Sequence, residues 1–128
     1  MIKKTKRSVK WITIKKNQKY AGIHLLADFW QTKEITSSKK IEQILIGAAK
    51  AAGAKPLKVS VQSFDPQGLT GVVLLAESHI SIHTWPEINY IAIDIFTCGK
   101  KSFPKKAYGH LKEAFQPKKF KLKEVKRG

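Results

Sequence analysis

The stretch "HISIHTWPEINYIAIDIFTC", His79 to Cys98, decides the fold. Two alternating apolar runs flank the short break Pro86–Asn89, so it reads as a β-hairpin. Ile80 and Ile82 fall on one face of the first arm; His79, Ser81 and His83 fall on the other. With Pro86–Asn89 as the loop, Trp85 pairs with Tyr90. Counting back sets Ser78 opposite Thr97 and Glu77 opposite Cys98. Directly opposed residues hold their Cβ atoms about 5 Å apart. A lone cysteine is ordinarily a small buried hydrophobe. Here the pairing returns it to the Glu77–Ser78 bond, which marks it as a functional thiol.

The residues before and after fit around this hairpin. "VKWITIKK" and "YAGIHLLADFW" read as strands separated by Asn17-Gln18. "ITSSKKIEQILIGAAKAAGA" repeats Ile41, Ile44, Leu45, Ala48 and Ala52 at helical spacing, with Ser37 or Ser38 to cap it and Gly53 to end it. "PLKVSVQSF" alternates as a strand, "DPQG" is a turn, and "GVVLLA" is a buried strand. "PKKAYGHLKEAF" is a second helix with Pro104 near its first position. "KKFKLKEV" is a last strand whose lysines suit a sheet edge. The order is β-β-α-β-β-β-β-α-β. The expected fold is α+β, a two-layer sandwich of one antiparallel sheet with both helices on one face. Neither face of the His79–Trp85 strand is a clean solvent face. The uncovered side is therefore expected to dimerise.

The whole chain, 128 residues, is expected to be a single domain with one core. No apolar run approaches the ~20 residues of a membrane span, and the basic N-terminus lacks a signal-peptide core. A cytoplasmic protein with no membrane partner is expected. The formal net charge of +16 lies largely at the two ends, which raises the question of nucleic acid. No nucleic-acid module and no basic stripe interleaved with aromatics accompanies it, so a solvated lysine-rich exterior is the expected reading.

His79 and His83 sit about 13 Å apart on a strand, too far to share one metal ion, so no metal site is expected. There is no Gly-x-Ser-x-Gly elbow, and Ser78 and His83 have opposite parity on a regular strand, so a hydrolytic triad built from this segment alone is not expected. His83 lies about 16 Å from Ser78 along an extended strand. It can serve Ser78 only from a two-fold partner, which suggests a site shared between protomers.

"SFDPQG", "ESHISIHTWPE" and "DIFTCG" together resemble the short prokaryotic S-adenosylmethionine decarboxylases, pyruvoyl enzymes made by self-cleavage of a proenzyme. "AGIHLLADF", with Gly22, His24 and Asp28, is similar to that family's first strand, and "KEVKRG" to its C-terminal end. The resemblance covers roughly Gly22 to Gly128. It implies a cut between Glu77 and Ser78, giving a β chain, residues 1–77, and an α chain, residues 78–128. Ser78 becomes the pyruvoyl group that forms a Schiff base with the substrate. His83 matches the processing base and Cys98 the proton donor. Thr70 stands where relatives often carry a serine that assists processing. Phe64 matches an aromatic linked to adenine stacking, against an ordinary role in the core. Glu87 has a carboxylate able to hold a ribose hydroxyl or a positive charge, against an ordinary turn residue.

A decarboxylase needs an electron sink, and no phosphate cradle for pyridoxal phosphate is recognisable. A pyruvoyl group from Ser78, with neither metal nor pyridoxal phosphate, is the expected cofactor. The implied activity is decarboxylation of S-adenosylmethionine to the aminopropyl donor for spermidine synthesis, by a homodimer of processed protomers with shared active sites. Arginine or ornithine with the same chemistry is the alternative. A nucleic-acid-binding or non-processing relative is a distant one. "FWQT" replaces a glycine turn usual in relatives, and residues 1–19 form a basic extension without an assigned role.

Overall fold

A computed structural model of the chain describes residues 20–76, 78–98 and 102–128. The expected strand "VKWITIKK" lies outside them. The described elements run β1 (Gly22–Trp30), α1 (Ser38–Ala51), β2 (Pro56–Ser63), β3 (Leu69–Leu75), β4 (His79–Trp85), β5 (Tyr90–Cys98), α2 (Pro104–Phe115) and β6 (Lys119–Arg127). The strands form one 6-stranded sheet in the order β2-β3-β4-β5-β1-β6, and every neighbouring pair is antiparallel. The α+β expectation holds. So does the hairpin register, with Trp85 opposite Tyr90.

The expected loop is a short 3-10 turn, Pro86–Ile88, closed by Asn89 in the left-handed region with its N–H donating to Pro86 O. Asparagine tolerates that conformation because its short polar side chain can bond locally. β1 is not beside β2. It is inserted between β5 and β6, and no local pattern announces this placement.

α1 begins where Ser37 accepts a hydrogen bond from Lys40 N at 3.2 Å, one of the donors a helix start leaves without a partner. Gly53, at φ 77, follows its end. Ile41, Ile44, Leu45, Ala48 and Ala49 form its buried face. α2 starts at Pro104, whose missing N–H costs nothing in the first turn, and buries Ala107, Leu111 and Phe115. α1 packs over β2 and β3, α2 over β5 and β1, and the helices touch each other.

Strand parity supplies the other half of the core. Leu25, Ala27 and Phe29 of β1, Ile80 and Ile82 of β4, and Ile91, Ile93 and Ile95 of β5 all point at the helices. Each such large side chain contributes roughly 1.5–3 kcal/mol by leaving water. β6 pairs with β1 alone and is exposed along almost its whole length, as its lysines suggested. Among the described residues no helix is long and apolar enough to cross a membrane.

The alternate residues of the strands lie on the other face of the sheet, which none of the described elements covers. His79, Ser81 and His83 are half-buried there by their neighbours, while Leu74 and Trp85 stay exposed at 46% and 40%. This outer face carries the candidate site.

Candidate active site

At one end of β4 lies Ser78. Leu75 N donates to Ser78 O at 2.9 Å and Ser78 N to Leu75 O at 3.5 Å, so Ser78 is the first residue after the tight β3–β4 turn. Glu77 lies outside the described residues, and so does its expected place opposite Cys98. The β4–β5 register runs to His79 opposite Phe96. Ser78 precedes the last pair of this ladder by one residue and Thr97 follows it, the two that the count along the sequence expected to face each other.

Cys98 ends β5, half-buried, and pairs with Gly22 of β1. A Cβ on Gly22 would stand 2.5 Å from Thr97 O and 3.0 Å from Cys98 Sγ. Glycine is thus required for β1 to run this close to the Cys98 thiol. Thr97 itself is 1% exposed, and its hydroxyl has no hydrogen-bond partner among the described residues.

At the other end of β4 lies His83. Thr70 sits directly opposite it on β3, and Thr70 Oγ1 meets His83 Nδ1 at 3.0 Å. The His83 ring lies 6.0 Å from Trp85, which stacks on Tyr90 at 5.5 Å. Phe64, in the β2–β3 loop, is 52% exposed, so it is not part of the core. Glu87 is exposed in the 3-10 turn. A cleft of about 180 Å³ at this end is lined by Phe64, Gln67, Thr84 and Pro86 among others.

The candidates therefore fall into two groups within one chain. Ser78 and Cys98 occupy one end of the sheet. His83, Thr70, Phe64 and Glu87 occupy the other, some 16 Å away along β4 at about 3.3 Å per residue.

Between them runs a set of contacts that the sequence reading did not foresee. His24 Nε2 meets Asp94 Oδ1 at 3.0 Å. The Tyr90 hydroxyl donates to Asp28 Oδ1. Burial raises the Tyr90 hydroxyl from 10.0 to about 12, aided by the bond to Asp28 and by the charges of Asp28 and Asp94. His24 and His79 approach Phe96 at 5.9 and 6.1 Å, and the Arg127 guanidinium stands 5.0 Å from the same ring. All of these but the His79 contact depend on β1 lying beside β5 and β6. The only local signal was the parity of Asp94 and Phe96 with Cys98, which put them on the outer face.

The geometry can be set beside proteins of known kind. Residues 23–128 match the family described as S-adenosylmethionine decarboxylase. The S-adenosylmethionine decarboxylase proenzymes of Methanococcus vannielii and Methanococcus aeolicus are 40% and 42% identical to this chain over 112 residues, covering 86% of it and 92% and 96% of their own lengths. The proenzyme of Acetivibrio thermocellus is 43% identical over 109 residues, 84% of this chain and 88% of its own. The crystal structure of the adenosylmethionine decarboxylase from Aquifex aeolicus shares the fold with a TM-score of 0.79 at 38% identity, covering 86% of this chain and 92% of that one.

Proposed function

Because the chain belongs to the S-adenosylmethionine decarboxylase family, we propose that it cuts itself between Glu77 and Ser78 and decarboxylates S-adenosylmethionine with a pyruvoyl group made from Ser78. The observation that carries this reading is the β4–β5 register, which brings Ser78 to the end of β5 that bears Cys98. The surroundings fit such a group: Ser78 is half-buried, Gly22 keeps β1 clear of the Cys98 thiol, and a buried hydroxyl stands alongside. A pyruvoyl ketone supplies the electron sink that decarboxylation requires.

The chain's own residues take the remaining roles. Ser78 Oγ attacks the Glu77 carbonyl carbon and turns the amide into an ester. Loss of the Ser78 α-proton then expels the Glu77 carboxylate and leaves dehydroalanine, which hydrolyses to the ketone and ammonia. His83 is the processing base. Thr70 engages its Nδ1, which leaves Nε2 to take the Ser78 proton. Cys98 returns a proton to the substrate α-carbon after CO2 leaves. Phe64 offers a face for adenine, and Glu87 a carboxylate for a ribose hydroxyl or the cationic sulfur.

His83 is too far along β4 to reach its own Ser78. A second copy, packed outer face to outer face about a two-fold axis, supplies each Ser78 end with the partner's His83 end. The half-buried, uncovered outer face supports this homodimer. In this reading the protein works in the cytoplasm, and its product is the aminopropyl donor for spermidine.

Intact-mass spectrometry tests the proposal. The expected masses are those of residues 1–77 and of residues 78–128 with a pyruvoyl N-terminus, while Ser78→Ala yields one whole, inactive chain. A single uncut chain that releases CO2 from S-adenosylmethionine would overturn it.

A further inference from the structure

Along the sequence no basic stripe is interleaved with aromatics. Across the sheet one is. Residues 1–19 carry eight Lys and Arg and no acid, and residues 118–127 carry six against the single acid Glu124. The fold brings these two stretches to one place. Ala21 N donates to Arg127 O at 2.7 Å and Gly22 pairs with Arg127, so the basic N-terminal stretch joins the sheet beside the end of β6. Glu124 is already engaged by Lys105 Nζ at 3.4 Å. We propose that the open edge of β6 binds single-stranded RNA, a function separate from the decarboxylation proposed above.

The charges are arranged as a backbone reader would need them. Lys119, Lys121 and Lys123 share one face of β6, and alternate residues of a strand recur about every 6.7 Å. That is close to the spacing of successive phosphates along an extended nucleic-acid strand. Like charges held in a row repel one another, and a polyanion laid along them relieves the repulsion. β6 pairs with β1 alone, so its other edge is open and its long side chains can reach round it. As the last strand of the sheet it lies at the rim of the outer face, which keeps this edge free in the homodimer proposed above.

Keeping an edge strand from pairing with another chain accounts for lysines on it. It does not account for the rings set among them. Lys119 Nζ stands 5.0 Å from the Trp30 ring at one end of β6, and Lys126 Nζ 5.4 Å from Tyr20 at the other. Between them Phe120 is 47% exposed, with Lys112 Nζ 3.5 Å from its ring. Cations that follow the phosphates and rings on which bases stack are the two parts of a single-strand site. Stacking needs bases that are not already paired, and RNA is the nucleic acid that ordinarily offers them. An anionic membrane would meet the lysines but has no flat groups for the rings.

The test is fluorescence anisotropy of the full chain with a labelled single-stranded uridine RNA. Binding is expected to weaken about 10²-fold between about 50 and 200 mM salt, the dependence for roughly six phosphate contacts. The triple variant Lys119→Gln, Lys121→Gln, Lys123→Gln should bind at least about 10-fold more weakly and lower the slope of log Kd against log salt by about 2. Lys50→Gln, Lys55→Gln, Lys58→Gln removes the same charge at the far side of the sheet and should stay within about 2-fold of wild type. An abasic strand with the same backbone should bind about 10-fold more weakly, and Phe120→Leu should weaken the RNA but not the abasic strand. Salt-independent or absent binding overturns the proposal. So does equal damage from the two triple variants, which would leave net charge alone, and so does equal binding of the abasic strand. Tighter binding of a DNA strand of the same sequence, or of phosphatidylglycerol vesicles, overturns the choice of RNA. Should Phe120→Leu fail to fold, the abasic strand on wild type decides the stacking. The readout is binding by the chain, cut or whole, so it stands or falls apart from the function proposed above.

Discussion

The two ends of β4 are built from the same strand and lie in different surroundings. At the Ser78 end the surroundings are small and close: Gly22, Cys98 and a buried threonine, gathered where a turn delivers the chain. At the His83 end they are broad and aromatic: Trp85, Tyr90 and Trp30, next to an open cleft and an exposed Phe64. One end suits a reaction on the backbone. The other suits holding a flat ligand and moving a proton. Neither is a complete site, and no bend in a regular strand can bring them together. On the function proposed above, the difference teaches that the working unit would be a pair of unlike ends, completed by a second copy.

The sharpest way to break this comparison is to separate the ends genetically. Ser78→Ala and His83→Ala chains, each differently tagged, are expected to stay whole when made alone. Made together, the His83→Ala chain is expected to be cut, since the Ser78→Ala partner lends its histidine. The readout is all-or-none on a denaturing gel. A His83→Ala chain that stays whole in the mixture would mean that each end works by itself.

A smaller effect belongs to the Ser78 end alone. Cys98→Ala is expected to leave cleavage intact and to lower kcat for CO2 release by about 10²-fold or more, as for loss of a positioned proton donor. The second chain should also gather an alanine N-terminus by mass, where the proton has gone to the wrong carbon. Unchanged kcat would remove the thiol from the reaction.

The smallest belongs to the far end. Tyr90 is held protonated, its hydroxyl raised from 10.0 to about 12 first by burial and then by Asp28 and Asp94. The unfolded chain loses this proton first, so the stability that the contact gives is complete below pH 10.0 and declines as pH climbs toward about 12. Wild-type melting temperature should therefore fall more steeply than that of Tyr90→Phe across this window. Parallel curves would show that the hydroxyl carries no such linkage.

Much of this layout was legible in the sequence for a physical reason. Hairpins and helices are local. Alternation in "HISIHTW", the turn signal at Pro86–Asn89 and the Ile41–Ala52 periodicity each act within a few residues, so register and caps followed. The insertion of β1 between β5 and β6 depends on contacts between residues some seventy apart, such as His24 with Asp94, and nothing local encodes it. The aromatic and ionic middle of the outer face went unseen for that reason. Thr97 is a different case. Its place opposite Ser78 could be counted, but that its hydroxyl lacks a partner among the described residues is a property of packing, visible only once Gly22 and the helices are in position.

The sheet order carries one more consequence. Cut after Glu77, the first piece would own β1, β2, β3 and α1, and the second β4, β5, α2 and β6. Read across the sheet, strands of the two pieces alternate: two from the first, two from the second, one from the first, one from the second. The pieces are interleaved like the fingers of clasped hands, joined at three strand seams and where the helices touch. Such a scission releases nothing, yet it changes what folding means for the molecule. The whole precursor finds its shape as one chain, at a rate indifferent to dilution. The severed pieces, once unfolded, would have to meet again, so their recovery would fall with concentration. Were the chain cut as proposed, maturation would in that sense be a one-way door: the sheet would be woven while the precursor is continuous, and the bond spent afterwards.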